Sequence, residues 1–321
     1  EKFVFLVVEY NEDFNFKVID SLSIKSKGVL QGKIVDVNAS SKIIKENLNL
    51  IEKKINYTFQ NTTIINNQDN FNCINISGFK KLSGSQILDE DISYILNQIK
   101  KKIVENYSTY SLVHLFNSNF ILDNQNLDNL PIGLYGDFYS HHLSFFLLPK
   151  NDLKNLKLTL NSCDVNVERI IFKTFAENLE KIKHKSSNEL SVLIKIGYNK
   201  SYISIFENLS YIYSEAFNFG SNIIIKDVVK LCSLDFNNVQ TIFKDICFDS
   251  TINLNDKENY LSQNYFKNAA FRKISKQHLH EIIIARVEEI VNLVYKTNAN
   301  LDYIKKKNKY IEINFQDKNI Y

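Results

Sequence analysis

The chain has 321 residues, about the length of two typical domains, and a formal net charge of +3. Its apolar fraction of 44% and charged fraction of 23% are ordinary for a folded protein, whereas eight glycines and two prolines exclude collagen-like and proline-rich chains. The charge is too small to indicate a nucleic-acid partner, and no run of about 18 uncharged apolar residues predicts a membrane-spanning helix.

The first part of the chain predicts a β-hairpin, a helix and a further strand. Residues 3–8 are apolar, residues 11–13 have turn chemistry, and a return strand follows. Apolar residues between 44 and 55 then have helical spacing. An alternating segment at 71–76 predicts a strand that ends at Ser77-Gly78. Because the chain has no methionine and enters an apolar run at once, we expect a fragment or a trimmed start.

Residues 78–157 have the pattern of a separate small unit. Asp89 or Asp91 is the expected N-cap of a helix whose inner face is rich in isoleucine. Two strand-like runs follow, at 112–122 and 142–148, on either side of a turn-rich crossing. This order of elements predicts a small α+β unit within the first half of the chain.

The second half opens with the same pattern as the first. Residues 190–196 and 202–206 predict two strands around a turn at Gly197, and a third strand is predicted at 209–217. The remaining predicted elements are two short helices (223–231 and 238–246), a loop (251–268), a long helix (275–296) and a final strand (310–315). Two halves that each open with a hairpin predict a duplicated α/β lobe with insertions.

The cysteines and histidines do not have the spacing of a metal site. The four cysteines lie far apart without a C-x-x-C pair, which indicates buried thiols in a reducing compartment. His141 and His142 are neighbours on a predicted strand, so their side chains point to opposite faces. The sequence contains neither H-E-x-x-H nor G-x-S-x-G, and so predicts no metal ligand and no catalytic triad.

The turn that opens the second half has features of a phosphate-binding hairpin. In such hairpins, glycine and small hydroxyl residues let backbone N–H groups approach a phosphate. Residues 193–201 read Leu-Ile-Lys-Ile-Gly-Tyr-Asn-Lys-Ser. This stretch resembles the Asp-Ile-Gly-Gly-Gly-Thr-Thr phosphate loop of the actin-like bacterial cell division family FtsA. Gly197 and Ser201 match its small positions.

Other segments resemble the same family in the same order along the chain. Gly28–Asp36 resembles the segment before the family's first long helix, and Ile76-Ser77-Gly78 the strand end at which the family inserts its subdomain 1C. The remaining similar segments are His114, Asp123 and Pro131–Gly136 for subdomain 1C, Gly220-Ser221 for the second glycine element, Arg272–Ile290 for the long helix of subdomain 2B, and Glu1-Lys2-Phe3 for the end of the first phosphate loop.

The resemblance implies an α/β, two-lobed actin-like (ribonuclease H-like) fold with an inserted α+β subdomain. It assigns 1–77 and 158–187 to a first lobe, 1A, without its N-terminal strand, and 78–157 to the inserted subdomain 1C. It assigns 188–250 to the second lobe, 2A, and 251–321 to subdomain 2B, which would be incomplete at its C-terminal end.

The resemblance also implies that ATP, with Mg²⁺, lies in the cleft between the lobes. The residues that it assigns to the nucleotide are Lys2, Gly197, Lys200, Ser201, Gly220, Ser221 and Lys244. However, Lys195 replaces the family's acidic residue, and Tyr198 and Asn199 replace two glycines. We therefore expect weak nucleotide binding, and weak or absent hydrolysis without a catalytic residue. A plain hairpin turn explains Gly197 and Gly220 equally well.

Arg286 lies within the apolar stripe of the long predicted helix. An unpaired guanidinium there costs several kcal/mol, so one interpretation is an internal ion pair with Glu289, three residues on, or with another lobe. The other comes from the resemblance: Arg286, with His278 and Glu289, would bind the C-terminal tail of the tubulin-like protein FtsZ.

The resemblance implies further partners and a location. These partners are further copies of the chain in an actin-like protofilament formed through 1C, other division proteins, and the inner membrane, reached by a C-terminal amphipathic helix that is not in this chain. The protein would be cytoplasmic and peripheral on the inner membrane at the division site. A basic run, Lys305–Lys307 with Lys309, is either a solvated face or a contact with anionic lipid.

Two alternatives retain the fold with a different function. One is an ATP-dependent phosphotransferase or ATPase, for which an acidic residue at 195 and complete glycine loops would be expected. The other is a pilus-assembly protein similar to PilM, which shares much of the pattern.

Overall fold

The computed structural model describes residues 1–10, 16–183, 190–207, 209–246, 260–266, 270–302 and 309–315. The chain divides into two compact units, Glu1–His184 with Ser210–Ile212, and Lys185–Leu209 with Tyr213–Tyr321.

The strands are β1 (Lys2–Tyr10), β2 (Phe16–Lys25), β3 (Val29–Leu30), β4 (Lys33–Ile34), β5 (Asn61–Asn66), β6 (Asn72–Lys81), β7 (Tyr110–Leu122), β8 (Gln125–Leu127), β9 (Phe138–Pro149), β10 (Asn166–Phe172), β11 (Leu190–Ile196), β12 (Ser201–Glu207), β13 (Ser210–Phe217) and β14 (Lys309–Phe315). The helices are α1 (Val37–Ile55), α2 (Asp89–Asn106), α3 (Lys150–Asn161), α4 (Lys173–Lys183), α5 (Asn222–Cys232), α6 (Phe236–Asp245) and α7 (Lys276–Val291).

The first unit begins with the predicted hairpin and helix. β1 and β2 are antiparallel, with Phe5 opposite Leu22, and β5 is parallel to β10. Ile44 of α1, Leu160 of α3 and Cys163 form a small buried core. Both pairs of strands pack against this core, the hairpin through Phe5 and the parallel pair through Ile64. The predicted turn at residues 11–13 lies outside the described residues.

A four-stranded antiparallel sheet, in the order β6-β9-β7-β8, follows in the same unit. α2 packs on one face through Ile95 and Ile99, which lie against Gly78. The prediction that the strand ends at Ser77-Gly78 is wrong, because β6 continues through Gly78 to Lys81 and pairs with β9. Gly78 instead provides room for α2. The proposed start of subdomain 1C at residue 78 therefore lies inside a strand, and the assignment to four subdomains stays a prediction.

The N-cap of α2 also differs from the prediction. Leu88 is the N-cap, and the helix begins at Asp89. The carboxylate of Asp91 accepts a hydrogen bond from the backbone N–H of Leu88 at 2.9 Å and forms an ion pair with Lys80. An acidic side chain in the third helical position can reach back in this way, so Asp91 satisfies the N-terminal N–H from inside the helix.

The second unit contains a sheet in the order β13-β12-β11-β14, apart from the first three residues of β13, which are counted with the first unit. In this sheet β11 is antiparallel to β12 and parallel to β14. α5, α6 and α7 form one apolar core around Val228, Ile242 and Ile283. The long predicted helix ends as an α-helix at Val291 and continues as one π-helical turn to Lys296.

Two further observations concern the described part of the chain as a whole. Within these residues, no helix combines the length and the apolar character needed to cross a bilayer. Cys73, Cys163 and Cys232 are free thiols. Of the predicted loop at 251–268, residues 260–266 are described and include a short 3₁₀ turn, whereas the rest of it, Cys247 and Lys305–Lys307 lie outside the described residues.

Candidate functional site

The predicted phosphate hairpin is a four-residue loop, 197–200, between β11 and β12. Ile196 and Ser201 face each other at its base, and the N–H of Gly197 donates to the carbonyl of Lys200 at 2.8 Å. Most residues of β11 and β12 are buried, and every residue of the two strands is at least partly buried, so the loop projects from two strands that pack in the interior of the unit.

The start of α5 holds this loop through backbone bonds. The N–H of Ser221 donates to the carbonyl of Gly197 at 2.8 Å, and the N–H of Asn222 donates to that of Tyr198 at 2.9 Å. These bonds satisfy N–H groups at the helix N-terminus that have no partner within the helix. The loop carbonyls therefore stabilise the start of α5, and α5 in turn fixes the loop.

Side chains add two more attachments. The hydroxyl of Ser201 donates to the carbonyl of Phe219 at 2.8 Å, and Asn222 Nδ2 donates to Asn199 Oδ1 at 2.8 Å. Asn222 was not among the residues selected from the sequence. A polar residue directly after Gly220-Ser221, at the start of a predicted helix, is the sequence signal that would have included it.

Gly220 is required by the close approach of two backbone segments. A Cβ at this position would overlap the carbonyl oxygen of Gly197 and would lie 2.7 Å from that of Tyr198. Because both atoms belong to the backbone of a tight loop, neither can rotate away as a side chain can. Gly220 thus acts by leaving space for the loop.

The anchoring also determines where the loop N–H groups point. No peptide bond in the described residues is cis, and in a trans peptide the C=O and the next N–H point in opposite directions. Since the carbonyls of Gly197 and Tyr198 point at α5, the N–H groups of Tyr198 and Asn199 point away from it. Two successive N–H groups on one side of a turn can bind an anion such as a phosphate oxygen.

The same loop offers little to a metal ion. The sequence resemblance aligns Lys195 with the acidic residue of the FtsA loop, and Mg²⁺ is bound by oxygen ligands, which a lysine side chain does not provide. Across the described ranges, no group of three or more histidine, cysteine, aspartate or glutamate side chains is arranged to hold a metal ion. The donors of the loop therefore fit phosphate oxygens, whereas the loop brings no carboxylate for Mg²⁺.

Five of the seven residues predicted for the nucleotide lie at the loop or at the start of α5. Those at the loop and the start of α5 are Gly197, Lys200, Ser201, Gly220 and Ser221. Lys244 is exposed near the end of α6, and Lys2 is exposed on β1 in the other unit. The hydroxyl of Ser221 is buried and has no hydrogen-bond partner among the described residues.

Arg286 has two carboxylate partners. Its Nε lies 2.5 Å from Asp227 Oδ2 on α5, and its Nη1 lies 2.6 Å from Glu289 Oε2 one turn along α7. The Asp227 carboxylate, followed by a smaller effect of Glu289, raises the pKa of Arg286 above its ordinary value. The predicted internal pair with Glu289 is thus present, and Asp227 is a partner that the sequence did not indicate.

An exposed apolar side chain lies one helical turn along α5 from Asp227, the ion-pair partner of Arg286. Leu231, one turn after Asp227 on α5, has 63% of its surface exposed. The guanidinium side chain itself is 28% exposed. His278, two turns earlier on α7, is exposed, and its ring Nδ1 lies 3.9 Å from Glu281 Oε2.

Comparison with known proteins gives sequence relatives of one kind. No protein-family model matches the chain. "Cell division protein FtsA" of Buchnera aphidicola subsp. Schizaphis graminum is 24% identical over 310 residues, which cover 95% of this chain and 72% of the relative. FtsA of Buchnera aphidicola subsp. Acyrthosiphon pisum is 24% identical over 241 residues (75% and 57%). FtsA of Agrobacterium fabrum is 19% identical over 273 residues (84% and 61%).

Among solved structures, a chain of the "PilM-PilN type IV pilus biogenesis complex" is similar in fold. It has a TM-score of 0.57 and 9% sequence identity, and the match covers 99% of this chain and 80% of that one. At this identity the similarity concerns the fold alone. The chain spans 57% to 72% of the length of the curated relatives named above. The predicted resemblance and the predicted fold class are both confirmed: the chain resembles the cell division protein FtsA in sequence and has an α/β, actin-like fold.

Proposed function

We propose that this protein is a cell division adaptor of the FtsA type, which self-assembles and links FtsZ filaments to the cytoplasmic face of the inner membrane. The observation that carries the proposal is the similarity to curated FtsA proteins along 95% of the chain. In this role the protein binds its partners and assembles with further copies of itself. A nucleotide would then be a structural ligand and not a substrate.

The surface between α5 and α7 is the proposed site for the FtsZ C-terminal tail. Arg286 supplies the cation, and the exposed side chain of Leu231 supplies apolar surface. A guanidinium has five N–H donors, so the bonds to Asp227 and Glu289 do not exhaust its capacity. An acidic and apolar tail would compete with these two carboxylates for Arg286.

Binding of an FtsZ tail peptide, followed by fluorescence anisotropy, tests this site. Arg286→Lys loses the planar fork and should weaken binding about tenfold or more. Leu231→Ser should also weaken it, because it removes exposed apolar surface. Glu289→Gln should strengthen binding, since it removes a competing carboxylate, whereas Glu288→Gln on the exposed side of α7 is the control. Unchanged binding by Arg286→Lys would exclude this site.

We also propose a weak phosphate contact at the loop 197–200, made by the N–H groups of Tyr198 and Asn199. Lys195 stands where a carboxylate would organise Mg²⁺, so this contact should not depend on the metal. Calorimetric titration with ATP and with ADP, each with and without Mg²⁺, should give affinities near the millimolar range that differ little between the two conditions. A micromolar affinity that requires Mg²⁺ would contradict this proposal.

A further inference from the structure

We propose that Asn222 is a positioning residue for the loop 197–200 and that it acts through Asn199. The effect on nucleotide rests on the phosphate contact proposed above, whereas the effect on the loop does not. Tyr198 and Asn199 align with two glycines of the FtsA loop, and the Asn199 side chain gives this chain a contact to α5 that a glycine would not provide.

Asn222 contacts the loop at two successive residues. Its backbone N–H donates to the carbonyl of Tyr198, and its side-chain Nδ2 donates to Asn199 Oδ1. The first bond fixes the Tyr198–Asn199 peptide on one side and the second fixes the Asn199 side chain. Together they prevent that peptide from turning, which keeps the N–H of Asn199 pointing away from α5.

The burial of the Asn222 amide indicates that its orientation is constrained. Its Oδ1 is buried without a hydrogen-bond partner among the described residues, whereas Nδ2 is paired with Asn199. An unpaired buried acceptor is unfavourable, because it has lost its hydrogen bonds to water without gaining one from the protein. The side chain retains this orientation because the bond to Asn199 offsets the cost. The geometry thus couples the start of α5 to the amide groups of the loop.

Hydrogen exchange at the amides of Tyr198, Asn199 and Lys200 measures the positioning directly. Asn222→Ala keeps the backbone N–H that donates to Tyr198 but has no side-chain group to pair with Asn199, whichever way the Asn199 amide is turned. It should accelerate exchange at these amides about three- to tenfold, as expected for the loss of one hydrogen bond. Asn199→Asp retains the acceptor and should leave exchange near the wild-type rate. Asn237→Ala, at an exposed position on α6, is the control.

The proposal is overturned if Asn222→Ala leaves loop exchange unchanged, or if Asn237→Ala accelerates it equally. ATP titration of Asn222→Ala gives the functional effect, and about three- to tenfold weaker binding at an unchanged melting temperature is expected. If the wild-type protein binds no ATP, the phosphate contact fails, while the exchange experiment still decides whether Asn222 positions the loop. Unaltered ATP binding by Asn222→Ala, together with faster exchange, would show that the positioned amides are not used for phosphate.

Discussion

Arg286 Nε on α7 lies 2.5 Å from Asp227 Oδ2 on α5, and this ion pair joins two helices of the second unit. Both side chains are less than a third exposed. Replacing Arg286 by methionine, which has a side chain of similar length, leaves the partly buried carboxylate of Asp227 without a cationic partner. We expect a loss of about 1–2 kcal/mol in the free energy of unfolding, measured by urea denaturation followed by circular dichroism.

The double variant Arg286→Met, Asp227→Asn should recover part of this loss, because it removes the unpaired charge together with its partner. A single Arg286→Met variant as stable as the wild type would mean that the ion pair contributes nothing. Arg286→Glu is a poor test of partner binding, since it places a third carboxylate beside Asp227 and Glu289 and changes stability as well.

Gly78 on β6 faces α2, and a Cβ there would overlap Ile95 Cγ2 and lie 2.7 Å from Ile99 Cδ1. Gly78→Ala should therefore destabilise the first unit by about 1–3 kcal/mol, the usual cost of overpacking a core. Ser77→Ala, at the exposed neighbouring position on the same strand, is the matched control and should change stability by less than about 0.5 kcal/mol. Equal urea midpoints for the two variants would contradict the close packing of α2 on β6.

Features that depend on neighbouring residues could be predicted from the sequence, and features that depend on distant ones could not. The spacing of apolar residues predicted α1, the β11–β12 hairpin and most of α7. It also indicated Glu289 as a partner of Arg286, because the two residues are three apart on one helix. Asp227 is 59 residues away from Arg286, and nothing in a single sequence connects them.

The roles of two glycines also depend on residues that are distant in the sequence. The sequence identified Gly78 and Gly220 as special positions, but a glycine that ends a strand and a glycine that makes room for another element look alike in sequence. Gly78 makes room for α2 and Gly220 for the carbonyls of the loop 197–200. Only the tertiary arrangement distinguishes these roles.

His141 is buried in β9, where its Nε2 pairs with Asn117 Oδ1 at 3.0 Å. Burial, with a smaller contribution from His142, lowers the pKa of His141 to about 4 from 6.5. The unfolded chain therefore takes up this proton below about pH 6.5, and the folded protein only below about pH 4. Stability should be independent of this group above pH 6.5 and should fall by up to about 3 kcal/mol between pH 6.5 and pH 4.

Urea denaturation of the wild type and of His141→Gln across this pH range isolates the contribution of the histidine. Glutamine can still donate to Asn117 but does not titrate, and other acidic groups such as Asp91 affect both proteins alike. The difference in stability between the two proteins should shift in favour of His141→Gln as the pH falls. A difference that is constant from pH 7 to pH 4 would mean that His141 is accessible to protons in the folded protein.

Gly220 and Ser221 are adjacent at the start of α5, and we expect opposite results from replacing them with alanine. Gly220→Ala forces a Cβ against the carbonyls of Gly197 and Tyr198, and should cost about 1–3 kcal/mol or more because both are backbone atoms. Ser221→Ala removes a buried hydroxyl without a hydrogen-bond partner in the described structure, so it should be neutral or stabilising by up to about 1 kcal/mol. Urea midpoints at equal m-values give both numbers. A destabilised Ser221→Ala variant would show that this hydroxyl has a partner after all, and a tolerated Gly220→Ala would show that the loop can move away from α5.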